Sequence, residues 1–136
     1  MSKKKLGLIV NPVAGIGGRV GLKGSDGAET QRQARALGAV LQATNRAAQA
    51  LLSLRPVAGQ FALITYPGEM GEAAAKAGGL TPIVIGEIQP GRTTAEDTRR
   101  AAREMLAPAV DLLLFVGGDG TARDVCQAVG QAMPVL

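Results

Sequence analysis

The sequence predicts an α/β fold in which a parallel sheet carries helices on both faces. Short, uninterrupted apolar runs recur along the chain, the pattern of parallel strands buried on both sides. Segments of helical periodicity alternate with them in the order β-α-β-α-β-α-β-α, which argues for right-handed crossovers and a three-layer α/β/α arrangement. The 19 glycines are too many for a helical bundle, and they gather in the turns that follow the apolar runs.

Leu6 to Val10 reads as the first strand, ended by Asn11-Pro12. A glycine-rich segment, Gly15 to Gly27, follows, and Asp26 with Glu29 has the spacing of a capping box that opens a helix. Ala34, Leu37, Leu41, Ala48 and Leu51 are expected on its buried face, and Pro56 ends the helical region. Gln60 to Thr65 is the second strand, before a Pro67-Gly68 turn. Met70, Ala73, Ala74 and Ala77 mark a short helix that Gly78-Gly79 closes as a left-handed cap. Pro82 to Ile85 is the third strand, and Gln89 to Arg92 is a loop. Thr94 and Asp97 give a second capping-box spacing, ahead of an apolar stripe of Ala101, Ala102, Met105 and Leu106 that Pro108 stops. Leu112 to Val116 is the fourth strand, and Ala122, Val125, Cys126 and Val129 line the helix after Thr121. Met133 to Leu136 reads as the first residues of a fifth strand, so the chain is expected to be the amino-terminal piece of a longer protein.

Composition narrows the chemistry. A chain of 136 residues suits one domain with one core. The apolar stretch after Met1 to Lys5 is too short for a signal peptide or a membrane span, so a cytoplasmic protein without a membrane partner is expected. Cys126 is the sole cysteine and there is no histidine. These counts exclude an intrachain disulfide, a cysteine zinc cluster, Ser-His-Asp and Cys-His catalysis and histidine-bound metals. Cys126 itself reads as a small core residue. Carboxylates, hydroxyls, Lys and Arg remain. The net charge of +4 suits an anionic ligand. It does not indicate nucleic acid, because the basic residues are scattered and Phe61, Tyr66 and Phe115 are the only aromatics available for stacking on bases.

Gly117-Gly118-Asp119-Gly120-Thr121 carries the most functional information. It sits where the fourth strand should hand over to a helix, at the sheet edge where open α/β folds bind ligands. Glycines let a phosphate approach the backbone, the helix start offers free N–H groups, and Asp119 is the one ionisable group in the turn. Thr121 and Asp124 could instead be a plain capping box, but that leaves the three glycines and the acid unexplained. Familiar glycine fingerprints do not fit. In Gly15-Ile16-Gly17-Gly18-Arg19-Val20 the third glycine position of the dinucleotide motif is Val20, and no acid ends the second strand. There is no Gly-x-x-x-x-Gly-Lys-Ser/Thr run either. What remains after the first strand is a long loop with Arg19 and Lys23, leaving Asn11 at the strand's carboxyl end. Thr93 to Asp97 can be read as a helix cap or as part of a site on the same edge.

Together Asn11-Pro12-Val13-Ala14-Gly15, the threonine-rich Thr93 to Thr98 and Gly117 to Thr121 resemble the ATP-NAD kinase family. The stretch from Gly17 to Gly24 is similar to its bacterial branch associated with acetoin catabolism, and diacylglycerol and sphingosine kinases share the superfamily. The resemblance implies a two-domain subunit, with an amino-terminal α/β domain over residues 1–136 and a carboxy-terminal β-rich domain that this sequence lacks. It implies transfer of a phosphoryl group from ATP to the adenosine ribose 2′-hydroxyl of NAD, giving NADP. Asp119 would then orient or deprotonate that hydroxyl. Gly117, Gly118, Gly120 and Thr121 would approach phosphates, and Asn11, Gly15 and Thr94 would lie near the nucleotide. Mg²⁺ would bridge phosphate oxygens, with no metal-ligand set of the chain's own. A homo-oligomer is expected of the full-length form, and the 136 residues alone are expected to show little kinase activity. The alternatives are a diacylglycerol-type lipid kinase and a non-catalytic nucleotide-binding module linked to acetoin catabolism.

Overall fold

The computed structural model describes residues 3–13 and 28–136. Among these residues the backbone forms four strands, β1 (Lys4–Val10), β2 (Phe61–Thr65), β3 (Ile83–Val84) and β4 (Leu112–Val116). The helices are α1 (Ala28–Leu52), α2 (Glu72–Ala77), α3 (Ala95–Glu104) and α4 (Asp119–Val129), with short 3₁₀ turns at Arg55–Gln60 and Gly68–Met70. All strand pairs are parallel, and the sheet order is β3-β2-β1-β4. The chain therefore steps outward from β1 to β2 to β3, then crosses back to place β4 on the other side of β1.

The two faces of the sheet bury different residues because successive side chains of a strand point to opposite sides. On one face Leu8, Val10 and Leu63 pack with Ala43, Ala47 and Leu51 of α1 and Ala74 and Ala75 of α2. On the other, Ile9, Ile64 and Leu113 pack with Ala101, Ala102 and Met105 beside α3, and with Val125 and Val129 of α4. The result is the three-layer α/β/α fold that the alternation of elements predicts. Gly7 lets the layers close up, since a Cβ there would lie 3.0 Å from Leu113 Cδ1 and 3.3 Å from Met105 Sδ.

Several local expectations need correction. Leu41 is 64% exposed, and the buried face of α1 runs through Ala43, Ala47 and Leu51. At 100° per residue Leu41 lies about 200° from Ala43, so the larger side chain misled in an alanine-rich helix. Cys126 is exposed for the same reason. The buried stripe of α4 is Thr121, Val125 and Val129, and Cys126 stands about 100° round from Val125. Leu106 is exposed, beyond the end of α3 at Glu104. The third strand has only two residues, both exposed, at the sheet edge. Asp26 of the expected Asp26–Glu29 capping box lies outside the described residues.

At the far edge Val135 pairs in parallel with Leu113, while Phe115 N–H donates to the Leu136 carbonyl at 2.9 Å. The last residues thus lie beside β4, where the sequence suggests a further strand. No helix among the described residues is long and apolar enough to cross a membrane.

Candidate functional site

Strand order and register create the site. β1 and β4 are flush at their carboxyl ends, with Val10 opposite Val116, and the connections leaving these two strands go to opposite faces of the sheet. A crevice at such a reversal of strand order is where open α/β sheets hold ligands. The residues that border it are Asn11 on one side and the Gly117 to Thr121 turn on the other. Asn11 N–H extends the ladder by one bond, donating to the Val116 carbonyl at 2.9 Å.

Asn11 and Thr121, 110 residues apart, meet directly. Asn11 Nδ2 donates to Thr121 Oγ1 at 2.8 Å, and Asn11 Oδ1 accepts from Val13 N–H at 3.1 Å. Thr121 is 4% exposed and closes over Gly117, where a Cβ would collide with Thr121 Oγ1. Gly117 is therefore required by packing. The helix begins earlier than the capping-box reading of Thr121 and Asp124 assumes. Gly118 is the N-cap and Asp119 the first helical residue, which makes Thr121 the third. Asp124 instead accepts from Arg99 of α3 at 2.8 Å.

Gly118 and Gly120 differ from Gly117. Both are exposed, neither has a positive φ, and no atom outside their immediate surroundings lies within 4 Å of the position a Cβ would take. The fold does not need glycine at either place. In a helix, glycine is less favourable than alanine by about 0.8–1 kcal/mol, so Gly120 weakens the first turn of α4 with no structural return. Between these two bare positions stands Asp119, its carboxylate exposed beside N–H groups that lack partners four residues back.

Thr94 caps the neighbouring helix on the same edge. Its N–H donates to Asp97 at 2.7 Å, completing a capping box as the spacing predicts. Burial pushes the Asp97 carboxyl up, but the bonds from Thr94 N–H and Arg100 outweigh this and hold it below its ordinary value. Helices α3 and α4 both follow parallel strands and so run the same way. They are pinned together by Arg99 and Asp124, with Thr94 five residues before one and Asp119 five before the other. At ~1.5 Å per residue both lie about 7.5 Å above that bridge. Thr94 and Asp119 thus stand at one level, and Thr94 shares no hydrogen bond with the Asn11–Thr121 pair. Gly15 lies outside the described residues, as do Arg19, Lys23 and the stretch that is similar to the acetoin-associated branch.

Two cavities adjoin this edge. One of about 460 Å³ runs between α1 and the end of β4, lined by Gln42, Arg46, Gly117 and Gly118 among others. Gln42 and Arg46 escape sequence reasoning because they read as an ordinary solvated helix face. From Gln42 back to Ala28 the helix continues for about 20 Å at ~1.5 Å per residue. The other, of about 560 Å³, lies against α3 and presents Glu87, Asp97 and Glu104 against Arg92 and Arg100. Arg100 is already engaged by Asp97 and by the Tyr66 hydroxyl. Three carboxylates against two guanidinium groups disfavour a polyphosphate in this second cavity.

Comparison with protein families gives one match, to the ATP-NAD kinase N-terminal domain, over residues 6–136. The chain belongs to the ATP-NAD kinase family. No curated protein and no solved structure matches it. The match spans the sheet from Leu6 onward, the four helices of the described residues and both borders of the crevice, and the family is one of kinases.

Proposed function

We propose that the protein transfers the γ-phosphoryl group of ATP to the adenosine ribose 2′-hydroxyl of NAD, giving NADP, with this domain forming one wall of the site. The observation that carries the reading is the bareness of Gly118 and Gly120. Neither packing nor backbone conformation calls for glycine there, while the approach of a phosphate to the backbone does. Membership of the ATP-NAD kinase family supports ATP as donor and NAD as acceptor.

In this reading the backbone N–H groups at the start of α4 bind phosphate oxygens, and the helix dipole favours the negative charge. Asp119 accepts the proton of the attacking hydroxyl and orients its oxygen in line with the phosphorus, a role worth about 10²–10⁴ in rate for a positioned base. Thr94 lies near the nucleotide, and Asn11 and Thr121 hold the turn. Transfer of this kind depends on positioning and neutralisation of charge, so the absence of histidine is no obstacle.

The side chains suit a Mg²⁺ ion that arrives on the phosphates. Among the described residues no group of three or more acidic, cysteine or histidine side chains could cage a metal, and Mg²⁺ needs only one or two carboxylates besides phosphate and water. The ion would be held by phosphate and water oxygens, with Asp119 kept for the attacking hydroxyl. Bound in that way, it would supply neutralisation of charge on the transferring group.

A second, β-rich domain completes the cleft in this proposal, in keeping with a family model that describes an N-terminal domain. The acceptor is tested by giving the two-domain protein ATP with either NAD or a diacylglycerol. Phosphorylation of NAD alone supports the proposal, and phosphorylation of the diacylglycerol alone overturns it.

A further inference from the structure

We infer that Asn11 is a positioning residue that acts on the glycine turn through Thr121 and does not itself touch the nucleotide. The inference rests on the proposed phosphate-binding role of that turn. An asparagine side chain offers one acceptor oxygen and two N–H donors. Val13 N–H can only donate, which fixes Oδ1 towards the start of the segment after β1 and leaves Nδ2 for Thr121. One side chain thus ties together the two loops that border the crevice.

Thr121 transmits the constraint. Its hydroxyl receives the Asn11 bond, and its Cβ and Cγ2 fill the space that Gly117 leaves, at 2.6 and 2.8 Å from where a Cβ of residue 117 would stand. A threonine held on both sides has one rotamer available. The first turn of α4 is held with it, and with that turn the N–H groups beside Asp119 and Gly120. Loss of the Asn11 bond frees Thr121 to rotate and loosens the turn before any ligand arrives. A residue that touched phosphate directly would lower affinity whatever the state of Thr121.

The two roles separate in a double-mutant cycle on the two-domain protein, read by ATP titration. Asn11→Ala and Thr121→Val should each weaken ATP binding by about tenfold, the scale of one coupled hydrogen bond. Together they should do no more than the worse of the two. Thr121→Ser, which restores the hydroxyl, should recover most of what Thr121→Val loses. Multiplying losses, about a hundredfold in the double variant, would show that Asn11 binds nucleotide independently and would overturn the inference.

Amide exchange at residues 117–121 without nucleotide supplies a readout apart from binding. Either single substitution should speed exchange there by about tenfold, and unchanged exchange contradicts the inference. Thr121→Val preserves side-chain volume, so this arm holds even if Asn11→Ala folds poorly. If the unsubstituted protein binds no ATP, the phosphate-binding proposal falls, while exchange still decides whether Asn11 holds the turn.

Discussion

Replacing Gly120 by alanine separates what the turn does for a ligand from what it does for the fold. The position is exposed, lies in the first turn of α4, and has open space where a Cβ would stand, with no neighbour within 4 Å. Alanine there should stabilise the domain by about 0.5–1 kcal/mol, because glycine loses more backbone freedom on folding. For a chain of this size that is a rise in Tm of roughly 2–5 °C. The same methyl group would stand where a phosphate must approach the backbone, and a displacement of about 1 Å is enough to cost on the order of 10²-fold in rate. Thermal unfolding and steady-state kinetics of Gly120→Ala should therefore move in opposite directions. Gly117→Ala provides the contrast, since its Cβ would collide with Thr121. It should destabilise the domain by about 1–3 kcal/mol. A Gly120→Ala protein that keeps full activity would refute the reasoning, because the bare position would then serve no ligand.

Further outcomes follow from other parts of the site. Asp124→Ala removes the Arg99 bridge between α3 and α4 and should lower stability by about 0.5–1 kcal/mol in thermal or urea unfolding, with the smaller value at high salt. Asp97 is held below its ordinary value by Thr94 N–H and Arg100, against the upward push of burial, so its contribution to stability is present above the unfolded-state value of about 3.9 and is lost as pH falls through the lower folded value. Unfolding followed from pH 5 downward should show a loss that Asp97→Asn reduces, and equal slopes for both proteins would contradict this. Residues 1–136 alone should form little NADP from ATP and NAD, whereas robust formation would remove the need for a second domain.

The sequence reveals some parts of this molecule far better than others. Strand β4 falls on Leu112–Val116 as expected, because five consecutive apolar residues are bounded by Asp111 and Gly117. The Thr94–Asp97 cap is equally legible, since its chemistry is local and its spacing fixed. Strand order is not local. Nothing along the chain says that β4 lies beside β1, and only that pairing brings Asn11 to Thr121. The buried face of α1 is obscured by alanines, whose burial carries little periodic signal, while the exposed Leu41 gives a misleading one. The glycine turn shows a similar limit. Sequence marks all three glycines as unusual, but only three-dimensional packing separates Gly117, which Thr121 requires, from Gly118 and Gly120, which the fold leaves free.

The central claim is that Asp119, between those two free glycines, serves phosphoryl transfer to NAD. It is tested most directly by measuring NADP formation and ATP binding in the protein that carries Asp119→Asn. The account predicts NADP formation reduced by about 10²–10⁴-fold with ATP affinity nearly kept. Unreduced NADP formation by the Asp119→Asn protein would contradict it.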